Sequence, residues 1–260
     1  MIRTLLVFCF ACSSLVSAIF EISHFSEVPN YIDEDCVLLL DIDDTLIVPV
    51  QTLGSGAWFD YRLKSFLNEG CDYRTAVEKT LPEWEAIRHL TKMRLVEEET
   101  AKVLSDLQEK QVPIMGVTFQ GLALATRTVM QLNDLRVDLC KTSPSKEDHC
   151  LSVQNHTVIH RQGILFTSGR AKGESFFQLC GKIGMTPKKI VVVDDKLSHL
   201  QNFEKETYLR GVEFVGLRYG ALDEQCAAFS KEVAEYQFSQ SSLKHLISDE
   251  EAKMKIDLSK

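Results

Sequence analysis

Several carboxylates and a hydroxyl follow one apolar run near the start of the chain. The run covers residues 36–40, and after it come Asp41, Asp43, Asp44 and Thr45. Such a run predicts a strand buried on both faces, and open parallel sheets bind ligands at the carboxyl ends of their strands. Both Asp41 and Asp43 reach one site only if the chain stops alternating after Asp41. Crowded carboxylates repel one another unless a cation is bound, so the stretch predicts a hard divalent metal.

A second apolar run, residues 190–193, ends in the same way with Asp194 and Asp195. One such stretch alone is also typical of a core strand that leads into an Asp-rich turn or a helix cap. Two of them, far apart in the chain, favour a shared site, because the carboxyl ends of parallel strands meet at one edge of a sheet.

The rest of the chain alternates expected strands with expected helices. This alternation predicts an α/β fold with a doubly wound, Rossmann-like parallel sheet of about five strands. Further expected strands cover residues 113–118, 163–169 and 212–217, and helical spacing covers residues 97–110, 121–135, 171–183 and 197–209.

Residues 47–94 are expected to form a small helical insert directly after the first carboxylate strand. Residues 58–67 and 73–90 carry apolar and charged side chains at helical spacing, and Pro82 is expected to start or kink one helix. An insert in this place can close over a site and exclude water. The expected organisation is a signal at 1–18, a core domain at 19–46 and 95–225, the insert at 47–94 and a polar tail at 226–260.

The first 18 residues are typical of a cleavable secretory signal. Arg3 precedes a largely apolar segment, residues 4–16, and small side chains follow at Ser17 and Ala18. An uncleaved anchor helix is the alternative, but the segment is shorter than the roughly 20 residues that span a bilayer. We therefore expect an exported protein with no stable membrane span after cleavage.

Charge and cysteine content narrow the classes of partner and cofactor. The formal net charge of −8 gives no basic surface for a nucleic-acid polymer. Cys140 and Cys150 flank a polar segment and are the best local disulfide candidates. His149, His156 and His160 lie nearby without any C-x-x-C spacing, so zinc is not expected and these histidines are predicted to be solvated.

The motifs, taken in chain order, resemble those of the haloacid dehalogenase (HAD) superfamily of phosphohydrolases. Residues 41–45 match its D-x-D-x-T signature, and Thr118 ends the next strand. Lys172 opens the helix before a later strand, which ends in Asp194 and Asp195. The resemblance implies a HAD-like core with the insert as its cap.

A closer resemblance concerns residues 163–169 and 188–200, which are similar to a group of exported bacterial proteins, the DUF2608 family. This likeness implies a bacterial envelope location, either periplasmic or secreted. It implies little about the chemistry.

The superfamily resemblance implies a catalytic role for each matching residue. Asp41 would attack phosphorus and form an aspartyl-phosphate, and Asp43 would protonate the leaving oxygen and later deprotonate water. Thr118 would bind phosphoryl oxygens, and Lys172 would offset negative charge. An acid at the second Asp separates the phosphatases from the dehalogenases, so hydrolysis of a phosphomonoester is favoured.

The same resemblance implies a magnesium site. Mg²⁺ would lie between Asp41, the backbone carbonyl of Asp43 and Asp194, with Asp195 in support through water.

Two of these roles have rival residues. Thr167 and Ser168 also end a strand, and Thr118 is preferred because the strand of Thr167 is expected to lie farther from Asp41. Arg170 or Lys196 could supply the positive charge instead of Lys172, which alone would be an ordinary solvated lysine at a helix start. In the insert, Trp58 and Phe59 are candidates for a lid over the substrate, although aromatic residues at helical spacing are more often core.

The leading interpretation is an exported, Mg²⁺-dependent, acid-phosphatase-like enzyme for small phosphomonoesters. A phosphotransferase would use the same residues. A secreted binding or effector protein on a HAD scaffold is the alternative from a different class, since fold does not fix function. In that case the insert or the polar segment 137–161 would dock a protein partner.

Overall fold

An eight-stranded sheet lies at the centre of the protein, which the computed structural model describes over residues 17–241 and 247–258. Most of its strands are rich in Val, Ile and Leu, and the branched side chains pack well on a pleated surface. A separate two-stranded antiparallel sheet, β3 with β4, lies outside this sheet. The strands in chain order are β1 (Ser17–Ile22), β2 (Cys36–Leu40), β3 (Ile47–Pro49), β4 (Met93–Leu95), β5 (Ile114–Thr118), β6 (His149–Val153), β7 (His156–Arg161), β8 (Ile164–Phe166), β9 (Lys189–Asp194) and β10 (Glu213–Tyr219).

The spatial order of the sheet is β1-β10-β9-β2-β5-β8-β7-β6. The strands from β1 to β8 in this order run parallel, while β7 and β6 continue the β8 edge in antiparallel pairs. The expected doubly wound, mostly parallel α/β fold is confirmed, with more strands than the five expected. β2 lies between β9 and β5, so the polar ends of these three strands are neighbours.

The antiparallel edge was not expected, because the stretch 137–161 is polar and interrupted. Gln154 and Asn155 form a two-residue turn with φ angles of 50° and 64°, in the left-handed region. Turns of this backbone type match the twist of paired strands and favour hairpins. Val153 and Val158 are fully buried against the core on either side of the turn.

Helices cover both faces of the sheet. Leu38 and Leu40 of β2 pack into one apolar cluster, whereas Leu39 packs into another on the opposite face. This alternation follows from the pleat of a strand and explains why β2 is apolar throughout. The helices are α1 (Gly56–Asn68), α2 (Tyr73–Leu90), α3 (Thr100–Glu109), α4 (Leu122–Asp134), α5 (Lys172–Ile183), α6 (Leu197–Tyr208), α7 (Asp223–Ala227), α8 (Lys231–Gln240) and α9 (Asp249–Leu258), with a 3₁₀ helix at Phe25–Tyr31.

The insert consists of α1 and α2, and it is joined to the core through the paired strands β3 and β4. Ser55 caps α1 by accepting the Trp58 N–H, and Asp72 caps α2 by accepting the Thr75 N–H. Pro82 does not start a helix, and the alternative, a kink at Pro82, stays a prediction. α2 begins at Tyr73 and continues past Pro82, which lies inside it.

The polar C-terminal segment packs onto the insert. Gln237 of α8 accepts the Leu53 N–H at 2.9 Å, and Asp249 of α9 accepts the Thr52 N–H at 2.9 Å. The ring of Phe238 lies 5.5 Å from the ring of Trp58. The end of the chain therefore helps to hold the insert in place.

The N-terminal strand overlaps the expected signal. Ser17 and Ala18 pair with Phe214 and Val215 in the sheet. Residues 1–16, on which most of the signal prediction falls, lie outside the described residues. Within the described part of the chain, no helix is both long enough and apolar enough to span a membrane.

The candidate disulfide is not formed in this structure. Cys140 and Cys150 are both free thiols, and Cys150 is exposed on β6.

Candidate active site

Three polar side chains end three adjacent strands at the carboxyl edge of the sheet. Asp41 follows β2, Thr118 ends β5 and Asp194 ends β9. Only 6% of Asp41 and 1% of Thr118 and Asp194 are exposed. Burying an ionised carboxylate is costly, so the folded chain must provide partners for both.

Lys172 is the partner that the two carboxylates share. Its Nζ lies 2.7 Å from Asp41 Oδ1 and 2.7 Å from Asp194 Oδ2, and the side chain is 2% exposed. It stands at the start of α5, as the sequence indicates. Within the described residues, neither Arg170 nor Lys196 forms an ion pair or hydrogen bond with Asp41.

The charges of this triad reinforce one another. Burial alone would lower the pKa of Lys172, but Asp194 and Asp41 raise it above its ordinary value. Burial alone would raise the pKa of Asp194, but the charge of Lys172 and the hydrogen bond with His199 lower it to about 2. Both groups are therefore charged at neutral pH.

The edge nevertheless holds a surplus of negative charge. Burial, followed by repulsion from Asp194, raises the pKa of Asp41. Burial, with repulsion from Asp41 and Asp194, raises the pKa of Asp195 to about 9. Burial, with repulsion from Asp43, raises the pKa of Asp44 to about 6. A divalent cation fits this donor set, because it would supply the missing positive charge to hard oxygen ligands.

His199 completes a cluster that could hold a metal ion. One ligand atom each of Asp41, Asp194 and His199 lie within 4.8 Å of one another. His199 Nδ1 lies 2.9 Å from Asp194 Oδ1, and the ring stands edge-on to Phe119 with 4.5 Å between centroids. Sequence reasoning missed His199. Its place in the first turn of α6, just after the second carboxylate pair, was the available signal.

Asp43 has its own partners, and both were missed from the sequence. Arg88 Nη2 of α2 donates to Asp43 Oδ1 at 2.6 Å, and Gln120 Nε2 donates to Asp43 Oδ2 at 2.7 Å. Arg88 is 2% exposed, whereas the side chain of Asp43 is 23% exposed. These residues are far from Asp43 in the sequence and belong to no local pattern.

The turn after β2 separates the first carboxylates. Ile47 donates its backbone N–H to the Ile42 carbonyl at 3.0 Å, and Asp44 adopts a φ of 60° between them. The chain therefore stops alternating after Asp41, as the shared-site interpretation requires. Thr45 in the same turn accepts the backbone N–H of Asp195 at 3.2 Å, which links the two carboxylate loops.

Thr118 and its rivals occupy different strands. Thr118 lies on β5, next to β2, and its Oγ1 accepts the Gln120 N–H at 3.2 Å. Thr167 follows β8, one strand farther from Asp41. Ser168 Oγ donates to the Thr157 carbonyl at 2.7 Å and so contacts the edge hairpin, which is formed by β6 and β7. This geometry favours Thr118 for contact with a phosphoryl group beside Asp41.

The candidate lid residues and His160 have the following environments. Trp58 is fully buried, and the ring of Phe59 packs 5.8 Å from the ring of Trp84, so both aromatic residues lie in the core of the insert. The prediction that His160 is solvated is wrong, since it is 1% exposed and its Nδ1 lies 3.0 Å from the Glu147 carbonyl.

His156 is exposed, as predicted, and His149 is partly buried against Ser145. No zinc-like cluster involves either of them among the residues described.

A doubly wound sheet with an insert after β2, and with these carboxylates and Lys172 at its carboxyl edge, is the arrangement that the HAD-like resemblance implies. The chain belongs to the family described as "Protein of unknown function (DUF2608)", whose model matches residues 21–253. The resemblance to this family noted in the sequence is thus confirmed.

Comparisons with individual proteins give more distant likenesses. A protein of Chlamydia pneumoniae named "Putative outer membrane protein" is 24% identical over 253 residues, which cover 94% of this chain and 93% of that protein. A solved HAD-superfamily hydrolase from Ehrlichia chaffeensis has a TM-score of 0.41 at 12% identity and covers 71% of this chain and 87% of its own. Another, a subfamily IA hydrolase from Geobacter sulfurreducens, has a TM-score of 0.42 at 12% identity, with 74% and 99% covered.

Proposed function

We propose that this chain is a metal-dependent hydrolase of small phosphomonoesters that works through an aspartyl-phosphate. The observation that carries the proposal is the buried ion pair of Lys172 with both Asp41 and Asp194, at the edge of the sheet where ligands bind. A buried lysine shared by two carboxylates has little value for stability alone, because desolvation offsets most of the attraction. Its charge is well placed to offset the charge of an incoming phosphate.

In the first step, an oxygen of Asp41 attacks phosphorus and forms an aspartyl-phosphate as the bond to the ester oxygen breaks. Asp43 gives its proton to that leaving oxygen, so that an alcohol departs. Thr118 donates its hydroxyl to a phosphoryl oxygen, and Lys172 offsets the negative charge.

In the second step, water attacks the phosphorus of the intermediate. Asp43, now a carboxylate, takes the proton of the water, and the bond between phosphorus and the oxygen of Asp41 breaks. Inorganic phosphate leaves, and the original states of Asp41 and Asp43 are restored.

A resident Mg²⁺ would be held by Asp41, Asp194 and the backbone carbonyl of Asp43, and Asp195 would support it. When bound, it would supply charge neutralisation for the carboxylates and the phosphate. His199 supplies a nitrogen, which is not a ligand that Mg²⁺ prefers. We therefore assign His199 to the orientation of Asp194 through its hydrogen bond.

The test is hydrolysis of 4-nitrophenyl phosphate by a chain that begins at Ser17, with Mg²⁺ or with a chelator. We expect metal-dependent turnover that falls by at least about 10³-fold in Asp41→Asn, because the nucleophile is lost. Asp148→Asn is the matched control, since Asp148 pairs with Arg161 on the exposed edge hairpin. Turnover that survives both Asp41→Asn and the chelator would refute the assignment.

If 4-nitrophenyl phosphate is not hydrolysed, a second experiment must distinguish an enzyme of narrow specificity from a binding protein. Mg²⁺ with beryllofluoride mimics a phosphorylated aspartate, so it should raise the melting temperature of an intact site, as any ligand of the folded state does. No rise in the wild-type chain would favour the binding or effector protein.

We also propose that the protein is exported to the bacterial envelope. The apolar N-terminal segment supports export, and chlamydial relatives carry the name "Putative outer membrane protein". A cut after Ala18 would remove Ser17 and Ala18 from β1, where both pair with β10. Mass spectrometry of the exported chain would test this, and a product that keeps residues 1–16 would contradict cleavage.

A further inference from the structure

Arg88 is a buried cation that the hydrolytic scheme does not use. It is carried by α2 of the insert, yet among the described residues its ion pair crosses into the core, to Asp43. The guanidinium lies 5.2 Å from the ring of Trp84. Among the described residues, Arg88 Nε finds no hydrogen-bond partner although it is buried. Burying a guanidinium charge costs desolvation free energy, so we expect Arg88 to have a specific function.

The other oxygen of Asp43 is held from the core side by a fixed amide. Gln120 is 4% exposed, and Thr128 Oγ1 donates to its Oε1 at 2.5 Å. Because the amide oxygen is engaged by Thr128, the amide nitrogen faces Asp43. The carboxylate of Asp43 is therefore fixed between one donor from the insert and one from the core.

The end of α2 is also fastened to the core close to Arg88. The Thr91 carbonyl, at the C-terminal cap of α2, accepts from Gln131 Nε2 at 2.9 Å and from Arg127 Nη2 at 3.3 Å. Both donors belong to α4. Arg88 thus approaches Asp43 from a docked segment whose distance to the core is fixed by hydrogen bonds.

We propose that Arg88 is a positioning residue that aims Asp43 at the leaving oxygen, so that docking of the insert is required for the acid–base step. The inference rests on the proposed function. Arg88 and Gln120 each take one of about four lone-pair positions on the carboxylate, which leaves positions free for the proton that Asp43 must carry. The paired oxygens fix the plane of the carboxylate without blocking proton transfer.

A comparison of leaving groups tests this role, because an acid is needed only when the leaving oxygen is strongly basic. The full chain is assayed with 2,4-dinitrophenyl phosphate, whose leaving group needs no proton, and with an alkyl phosphate, whose leaving group does. Arg88→Met should lower kcat/KM for the alkyl ester by about 10²-fold and for the dinitrophenyl ester by less than about threefold. Arg88→Lys should recover part of the loss, since an ammonium group can still reach one oxygen.

Arg62→Met is the matched control. Arg62 also lies in the insert and pairs with Glu83 of α2 and Glu235 of α8, but it has no contact with Asp43. Any effect on the two esters should be equal. An equal loss on both esters in Arg88→Met would overturn the proposal and would favour a role of Arg88 in substrate binding or insert packing. Unchanged kinetics in Arg88→Met would also overturn the proposal.

A double-mutant cycle on the melting temperature tests the contact between Arg88 and Asp43 and does not require enzyme turnover. Arg88→Met should lower the melting temperature by at least about 5 °C in the wild-type chain and by clearly less in an Asp43→Ala chain. Equal effects in both chains would overturn the proposal. If the wild-type chain hydrolyses neither ester, the proposed hydrolase fails, whereas the cycle still reports whether Arg88 holds Asp43.

Discussion

The first two carboxylates of the D-x-D-x-T motif, Asp41 as the proposed nucleophile and Asp43 as the proposed acid–base, are held by different parts of the molecule. Asp41 is paired with Lys172, and both residues belong to the core, beside β2 and at the start of α5. Asp43 is paired with Arg88, which belongs to the insert. At most 7% of each side chain in the first pair is exposed, whereas 23% of the Asp43 side chain is.

This difference separates what the sheet supplies from what the insert must add. We call Asp41 with Lys172 and Asp194 the nucleophile half after its proposed role, and it is formed by strand ends and one helix of the core. The acid–base half, Asp43 with Arg88, exists only while the insert is docked. Metal and phosphate binding should therefore survive changes in the insert that slow proton transfer.

Breaking the nucleophile half should have the largest effect on stability. Lys172→Met leaves Asp41 and Asp194 buried without their shared cation, and the free energy of unfolding without metal should fall by about 3–5 kcal/mol. Urea unfolding measures the change. Added Mg²⁺ should restore part of the loss, because it replaces the missing positive charge.

Lys182→Met is the control, because Lys182 is exposed in the last turn of the same helix, α5, and should contribute less than about 1 kcal/mol. Similar losses in the two variants would show that Lys172 does not stabilise the carboxylates.

The contact between α1 of the insert and the loop that follows β2 should give an effect on stability of intermediate size. A Cβ on Gly56, the first residue of α1, would lie 2.3 Å from Asp44 Oδ2, so Gly56→Ala should cost about 1–3 kcal/mol. Gly181 in α5 meets no atom within 4 Å, so Gly181→Ala should be neutral or stabilise by up to about 1 kcal/mol. Equal unfolding midpoints for the two variants would mean that the insert does not press against the D-x-D loop.

The smallest expected effect on stability concerns His160 in the edge hairpin of β6 and β7, which belongs to neither half of the site. Burial lowers the pKa of His160 below its ordinary value of 6.5. The unfolded chain therefore binds this proton more readily, and the stability should fall as the pH drops below 6.5. Urea midpoints from pH 7.5 to 5.5 should fall less steeply in His160→Gln than in the wild-type chain, and His156→Gln should match the wild type. An unchanged slope in His160→Gln would contradict the effect of burial.

The core half could be predicted from the sequence because its signals are local. An apolar run that ends in Asp41 or Asp194 marks a buried strand and its polar end within a few residues. The helix that begins at Lys172 follows its strand in the expected order, so topology brings Lys172 to the same edge.

The acid–base half could not be predicted, because its contacts join distant segments without a pattern. Arg88 lies among charged residues at helical spacing in α2, where an arginine normally faces water. Gln120 gains its role only because Thr128 fixes its amide. The β6–β7 hairpin was missed for another reason: its turn, Gln154 and Asn155, contains no glycine to mark it.

The pairing of β1 has a consequence for the order of folding. Within the described chain, β1 pairs with β10 alone, and β10 is the last strand of the sheet to be synthesised. The first strand therefore waits unpaired while nearly all of the sheet is made, because its partner does not yet exist. A ribosome that stops before residue 213 would release a chain in which β1 has no partner strand and β9 has an unpaired edge, a form prone to aggregation.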